Sequence, residues 1–158
     1  MILLAGAVIQ STILPHFSIW GLRIELVLLL VVSWSMLQGP EAGILWAIVG
    51  GLGLDLFSAV PFGTMTTALA LTSFVIGKVG IGLLRTNSLL PIAMAPVATA
   101  LFNGTVALIL EGFGWHLPWS ELLTGVILPL ALLDTVAMVP VFGLLYGLHS
   151  RTQPEINW

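Results

Sequence analysis

A chain of 158 residues that is 58% hydrophobic and only 7% charged lacks the roughly one-quarter of charged side chains that solvates a water-soluble domain. Four Lys/Arg against seven Asp/Glu, a net charge of -3, exclude nucleic acid as a main partner, because nothing would neutralise its phosphates. The absence of cysteine excludes disulfides and thiolate metal sites.

A mean hydropathy of +1.13 marks an integral membrane protein. Apolar blocks recur along the whole chain between short polar or Pro/Gly breaks, which leaves no soluble domain or linker. The reading is therefore one polytopic, all-α membrane domain over 1–158, with six transmembrane helices in one bundle. No repeat of fixed period and no low-complexity tract is present.

The N-terminal stretch MILLAGAVIQSTILP lacks the positive region of a cleavable signal peptide and reads as a first, retained helix over 2–14. At 1.5 Å per residue it reaches only about 20 Å, against a hydrocarbon core of about 30 Å. A second helix over 22–37 is little longer, so both are expected to be short or shielded by neighbours. Glu25 is expected to face outward.

A third helix over 40–58 opens on Pro40 and Glu41. Proline suits a first turn because its missing N–H would be unpaired there, and the carboxylate meets the positive end of the helix dipole. From that turn Gly39, Gly43, Ala47 and Gly51 recur every fourth residue. In lipid such a stripe lets another backbone approach closely and gain dispersion contacts. Asp55 is the next member of the series, so its carboxylate should point into the bundle or toward a partner. The segment Pro61-Phe62-Gly63 then makes an outer turn. Asp55 is expected to fix this corner by accepting hydrogen bonds from backbone N–H groups of the turn or from a neighbouring helix.

A fourth helix is expected over 64–84, with Lys78 near its inner end and able to snorkel. The fifth, over 89–111, carries Ala95, Thr99, Asn103 and Ala107 at four-residue spacing, a seam in which Asn103 can hydrogen-bond across an interface. The sixth, over 121–149, contains Pro129 and Pro140, each favouring a kink. Asp134 lies between them, near the bilayer centre. An aspartate there costs roughly 2.5–3.5 kcal/mol unless it is paired, solvated or protonated. Asn103, hydroxyl groups or kink-freed carbonyls facing a protonated Asp134 are its candidate partners.

Lys78, Arg85 and Arg151 fall on one side of the membrane and Arg23 alone on the other, which puts both termini in the cytoplasm. Trp20, Trp115 and Trp119 then sit at an outer aromatic belt, and Trp34 and Trp46 toward the inner one.

Two membrane aspartates invite comparison with intramembrane aspartyl proteases, whose paired carboxylates share a proton. Here Asp55 follows GLGL, one residue out of the Gly-x-Gly-Asp spacing, and it lies near the outer end while Asp134 lies at mid-depth. Structural roles fit both better. His16, His116 and His149 are spread over both faces, so they form no single metal site. Ser11, Ser33, Ser35 and Ser73 have no Gly-x-Ser-x-Gly elbow and no companion histidine at their depth. Gly50, Gly51 and Gly53 lack the Lys-Ser/Thr of a phosphate loop. The reading is of no catalytic residue, cofactor or metal. Asn103 and Asp134 could alternatively line a polar cavity for a small substrate.

Three segments carry a family resemblance: IQSTILP at 9–15, GLRIELVLLLVVSWSMLQGPEAG at 21–43 and GGLGLDLFSAVPFGTMTTAL at 50–69. In this order they resemble the rod shape-determining protein MreD family. Its members share a Gln closing helix one, a Gly before helix two, a glycine-rich approach to an Asp, and Pro-x-Gly before helix four. The resemblance implies a non-enzymatic component of the cell-elongation machinery in the bacterial inner membrane. It also implies partners: an MreC-type membrane protein, the RodA glycosyltransferase with a class B penicillin-binding transpeptidase, and the actin-like MreB. Gly43, Ala47, Gly51, Asp55, Pro61, Gly63, Asn103 and Asp134 are the candidate structural or interaction residues. The family is also similar to the six-helix S components of energy-coupling factor transporters, which makes a vitamin-binding subunit the alternative. Few polar residues occupy the outer loops, and this favours the scaffold.

Overall fold

The structure is a computed structural model that describes residues 25–83 and 90–152. The helix expected over 2–14 lies outside the described residues. Within them the chain is helical, in the order α1 (Leu26–Gln38), α2 (Pro40–Phe57), α3 (Thr64–Leu83), α4 (Leu90–Gly112), a short α5 (Trp119–Leu122) and α6 (Leu128–Thr152). A π-helical turn, Leu123–Ile127, joins α5 to α6. Among the described residues, three stretches are long and apolar enough to cross a membrane, Pro40–Phe57, Pro91–Gly112 and Trp119–His149; α1 and α3 contribute shorter apolar helices.

Proline and glycine set the boundaries. Gly39 ends α1 at φ 101°, a left-handed conformation that costs glycine nothing, and Pro40 opens α2 at once. In the last span, Pro129 has no N–H for the next intrahelical bond. The turn before it widens, and Leu128 N–H donates to the Leu123 carbonyl five residues back.

Helix α2 is built inside out relative to a soluble helix. Its buried residues are Gly43, Ala47, Gly50, Gly51, Gly53 and Asp55, while Leu45, Ile48, Val49, Leu52 and Leu56 are exposed. Large apolar side chains outside and small ones inside suit hydrocarbon, where association comes from close backbone packing and not from hiding apolar surface. On α3 the buried positions Ala68, Leu69, Thr72, Ser73 and Ile76 follow the 3.6-residue period of one face, and Lys78 lies outside, its Nζ 4.3 Å from the Phe74 ring centre.

Helix α1 is the centre of the bundle. It packs against α2, α3, α4 and α6, and Val27, Leu28, Leu29, Val31, Val32, Ser33, Ser35 and Met36 are all buried. A helix apolar on every side must be enclosed. Thirteen residues make about 20 Å of helix, less than the hydrocarbon thickness, and its neighbours provide the shielding. Trp34 on α1 stacks on Trp46 of α2 with ring centres 4.5 Å apart.

Candidate functional site

Polar side chains gather at two places, and at both an aspartate on one helix completes the start of another. The first four N–H groups of a helix have no intrahelical acceptor, a defect that water cannot repair inside a bilayer.

At the α2–α3 corner, Asp55 Oδ1 accepts from Met65 N–H at 2.9 Å. Its Oδ2 accepts from Thr66 N–H at 3.2 Å and from the Thr66 hydroxyl at 2.6 Å. The carboxylate thereby meets the first turn of α3 and the positive end of its dipole. The turn between is tied by the hydroxyls of Thr64, donating to the Pro61 carbonyl, and Thr67, donating to the Gly63 carbonyl, both at 2.7 Å. Gly63 turns the chain at φ 95°.

At mid-span, Asp134 is fully buried at the midpoint of the Trp119–His149 stretch. Its Oδ1 accepts from Glu25 N–H at 3.2 Å, an amide that precedes α1, and its Oδ2 accepts from the Thr99 hydroxyl of α4 at 2.9 Å. Asn103, one turn along α4, donates from Nδ2 to the Glu25 carboxylate at 3.2 and 3.3 Å and to the Thr99 carbonyl at 3.0 Å. Helices α1, α4 and α6 meet through these four side chains. Glu25, the residue that precedes α1, is half-buried in this cluster. The hydroxyl expected among the partners of Asp134 is that of Thr99; Asn103, the other expected partner, bonds Glu25 and the Thr99 carbonyl instead, and no local signal in the sequence marked the Glu25 amide.

The candidate residues thus divide. Asp55, Pro61 and Gly63 form the corner, and Asn103 and Asp134 belong to the mid-span cluster; the two aspartates share no hydrogen-bond partner. Gly43, Ala47 and Gly51 line the contact of α2 with α1 and α3. A Cβ on Gly51 would overlap the Thr66 backbone, and one on Gly43 would overlap Ser35 and Ser73. Sequence reasoning did not single out Gly77 and Gly80 of α3, where an added Cβ would meet Pro40 Cα at 2.8 Å and Met36 Cγ at 3.0 Å. It also passed over Ser35 as a tie between helices: its hydroxyl donates to the Ser73 carbonyl at 2.7 Å.

Among the described residues no group of three or more His, Asp or Glu side chains could hold a metal ion. The carboxylates accept hydrogen bonds that join helices, and the arrangement can fix a bundle in one packing.

A family model described as rod shape-determining protein MreD matches residues 1–150 of the chain. No curated protein and no solved structure matches, so the expected likeness to transporter S components has no counterpart in the comparisons.

Proposed function

The chain belongs to the rod shape-determining protein MreD family, and we propose that it is a non-enzymatic membrane scaffold of the bacterial cell-elongation complex. The observation that carries this reading is the family match over 150 of the 158 residues. The geometry supports it: the polar side chains of both clusters are engaged in joining helices, and large apolar side chains of α2 and α6, such as Leu45, Leu56, Leu132, Val136 and Leu144, lie on the outer surface, where lipid or partner helices can meet them.

In this reading the scaffold pairs with an MreC-type membrane protein and supports RodA with its class B penicillin-binding transpeptidase, in line with MreB on the cytoplasmic side. It crosses the inner membrane six times with both termini cytoplasmic. The distribution of Lys78, Arg85 and Arg151 against Arg23 supports that orientation.

Affinity purification of the full chain from membranes tests the proposal. An MreC-type protein should co-purify. Recovery with a transporter's ATPase module, or with a vitamin bound at stoichiometric level, would replace the scaffold by a substrate-binding subunit.

A further inference from the structure

Counted hydrogen by hydrogen, the mid-span cluster is one proton short. Thr99 Oγ1 lies 2.9 Å from Asp134 Oδ2 and 3.1 Å from the Ala95 carbonyl oxygen, yet a hydroxyl has a single hydrogen to give. Thr72, Thr105 and Thr135 each donate to the carbonyl four residues back, the bond that threonine commonly makes within a helix. With Thr99 doing the same, its contact with an ionised Asp134 joins two oxygens with no hydrogen between them. A proton on Oδ2 completes the row: the Asp134 O–H donates to Thr99 Oγ1, and the Thr99 O–H donates to the Ala95 carbonyl.

The electrostatics of the cluster agree. Asp134 is fully buried, and Glu25 beside it is close enough for the charge of one to act on the other. Two neighbouring carboxylates shielded from water do not both ionise. The donors that reach them are neutral: the Glu25 N–H, the Thr99 hydroxyl and the Asn103 amide. Among the described residues no cation intervenes. Helix α1 itself has no titratable side chain. On α4, Glu111 is bonded to Trp119 at the exposed connector. On α6, Tyr146 and His149 stand more than about three turns beyond Asp134. Lys78 of α3 lies against Phe74, Asp55 of α2 is engaged with the start of α3, and Glu41 sits in the first turn of α2. Asn103 donates to both oxygens of Glu25, which suits a charge on Glu25 and the proton on Asp134.

We propose that Glu25 and Asp134 hold one proton between them, seated on Asp134 Oδ2 and hydrogen-bonded to Thr99, and that its loss puts two like charges where α1, α4 and α6 meet and weakens that junction. The half-buried Glu25 side is where the proton exchanges with solvent, since Asp134 has no exposed surface. The bundle thus contains a joint whose strength depends on pH, whichever partner the scaffold takes.

Infrared spectra of the full chain in lipid nanodiscs read the proton directly, because a protonated carboxyl has a C=O band of its own that moves in deuterium oxide. The parent should show this band at neutral pH and lose it on titration to alkaline pH. Glu25→Gln removes the neighbouring charge, so Asp134 should release its proton at a pH lower by about 1 unit or more. Asp134→Asn reproduces the protonated form, with an oxygen for the Glu25 N–H and an N–H for Thr99. It should lack the band and keep its stability at alkaline pH, where the parent weakens. The folded parent retains a proton that unfolded carboxyls lose above about pH 4, so its stability relative to Asp134→Asn falls as pH rises from there to the midpoint of the band. A parent without the band at neutral pH, a band that survives Asp134→Asn, or a midpoint that Glu25→Gln leaves in place overturns the shared proton. So does an Asp134→Asn protein as unstable as Asp134→Ala, since the position would then require a charge. Glu25→Gln supplies its readout if the Asp134 variants do not assemble.

Discussion

Asp55 and Asp134 do the same physical work at different ranges. Each brings a carboxylate to amides that a helix start leaves without acceptors, and each does so where water is scarce. Asp55→Ala should destabilise the protein by about 0.5–2 kcal/mol, the usual cost of a lost N-terminal cap. Asp134→Ala strands Glu25 N–H in the interior, while the Thr99 hydroxyl keeps the Ala95 carbonyl as an acceptor, and should cost about 1–3 kcal/mol. Equilibrium unfolding in micelles checks both, and equal stability of Asp134→Ala and the parent would remove the cluster from any structural account. The surroundings of Asp55 are legible in the sequence, since its partners Met65 and Thr66 follow within about one turn-and-corner of chain. The surroundings of Asp134 are not. Its acceptor atoms serve an amide that lies far back in the chain, beside a glutamate whose position after Arg23 resembles an ordinary loop end.

At the scale of elements, the small-residue pattern of α2 predicts sharply different responses from glycines of one type. Gly51→Leu should block the approach of α3, because even a Cβ overlaps the Thr66 backbone; loss of folded protein in membranes is the readout, and normal assembly would refute close packing there. Gly104→Ala and Gly143→Ala, where a Cβ meets open space, should be neutral or stabilise by up to about 1 kcal/mol, from the better helix propensity of alanine. The α2 stripe was readable because its small residues fall at one spacing among large neighbours. Its counterpart on α3 was not, since Thr, Ala, Ser and Gly occur on every side of TMTTALALTSFVIGKVGIGL and only the neighbours decide which face is used. The described helices begin and end within a few residues of the Pro/Gly breaks, whereas the π turn depends on how the chain absorbs the amide missing at Pro129.

For the whole molecule, the expected orientation makes a direct prediction from single cysteines placed in a chain that has none. His116→Cys, in the exposed connector between α4 and α5, should react with a membrane-impermeant maleimide added to spheroplasts, and Gln153→Cys only after permeabilisation. The opposite pattern would invert the topology. Enclosure of α1 by four other helices was foreshadowed by its all-round apolar sequence and short length. Which helices enclose it was beyond periodicity, because a helix without a polar face gives no direction.

The tie between Asp134 and Glu25 N–H spans 109 positions, whereas Asp55 reaches Met65 across 10. During synthesis at about 5–20 residues per second, the corner closes as soon as α3 emerges, but the start of the central helix waits several seconds for the last span. Until then the leading amide of α1 lacks this acceptor, although the Glu25 carboxylate can meet Asn103 once α4 has been made. Completion of the central helix therefore depends on the last span, and a chain that stops short of residue 134 lacks the acceptor that Glu25 N–H meets in the finished bundle.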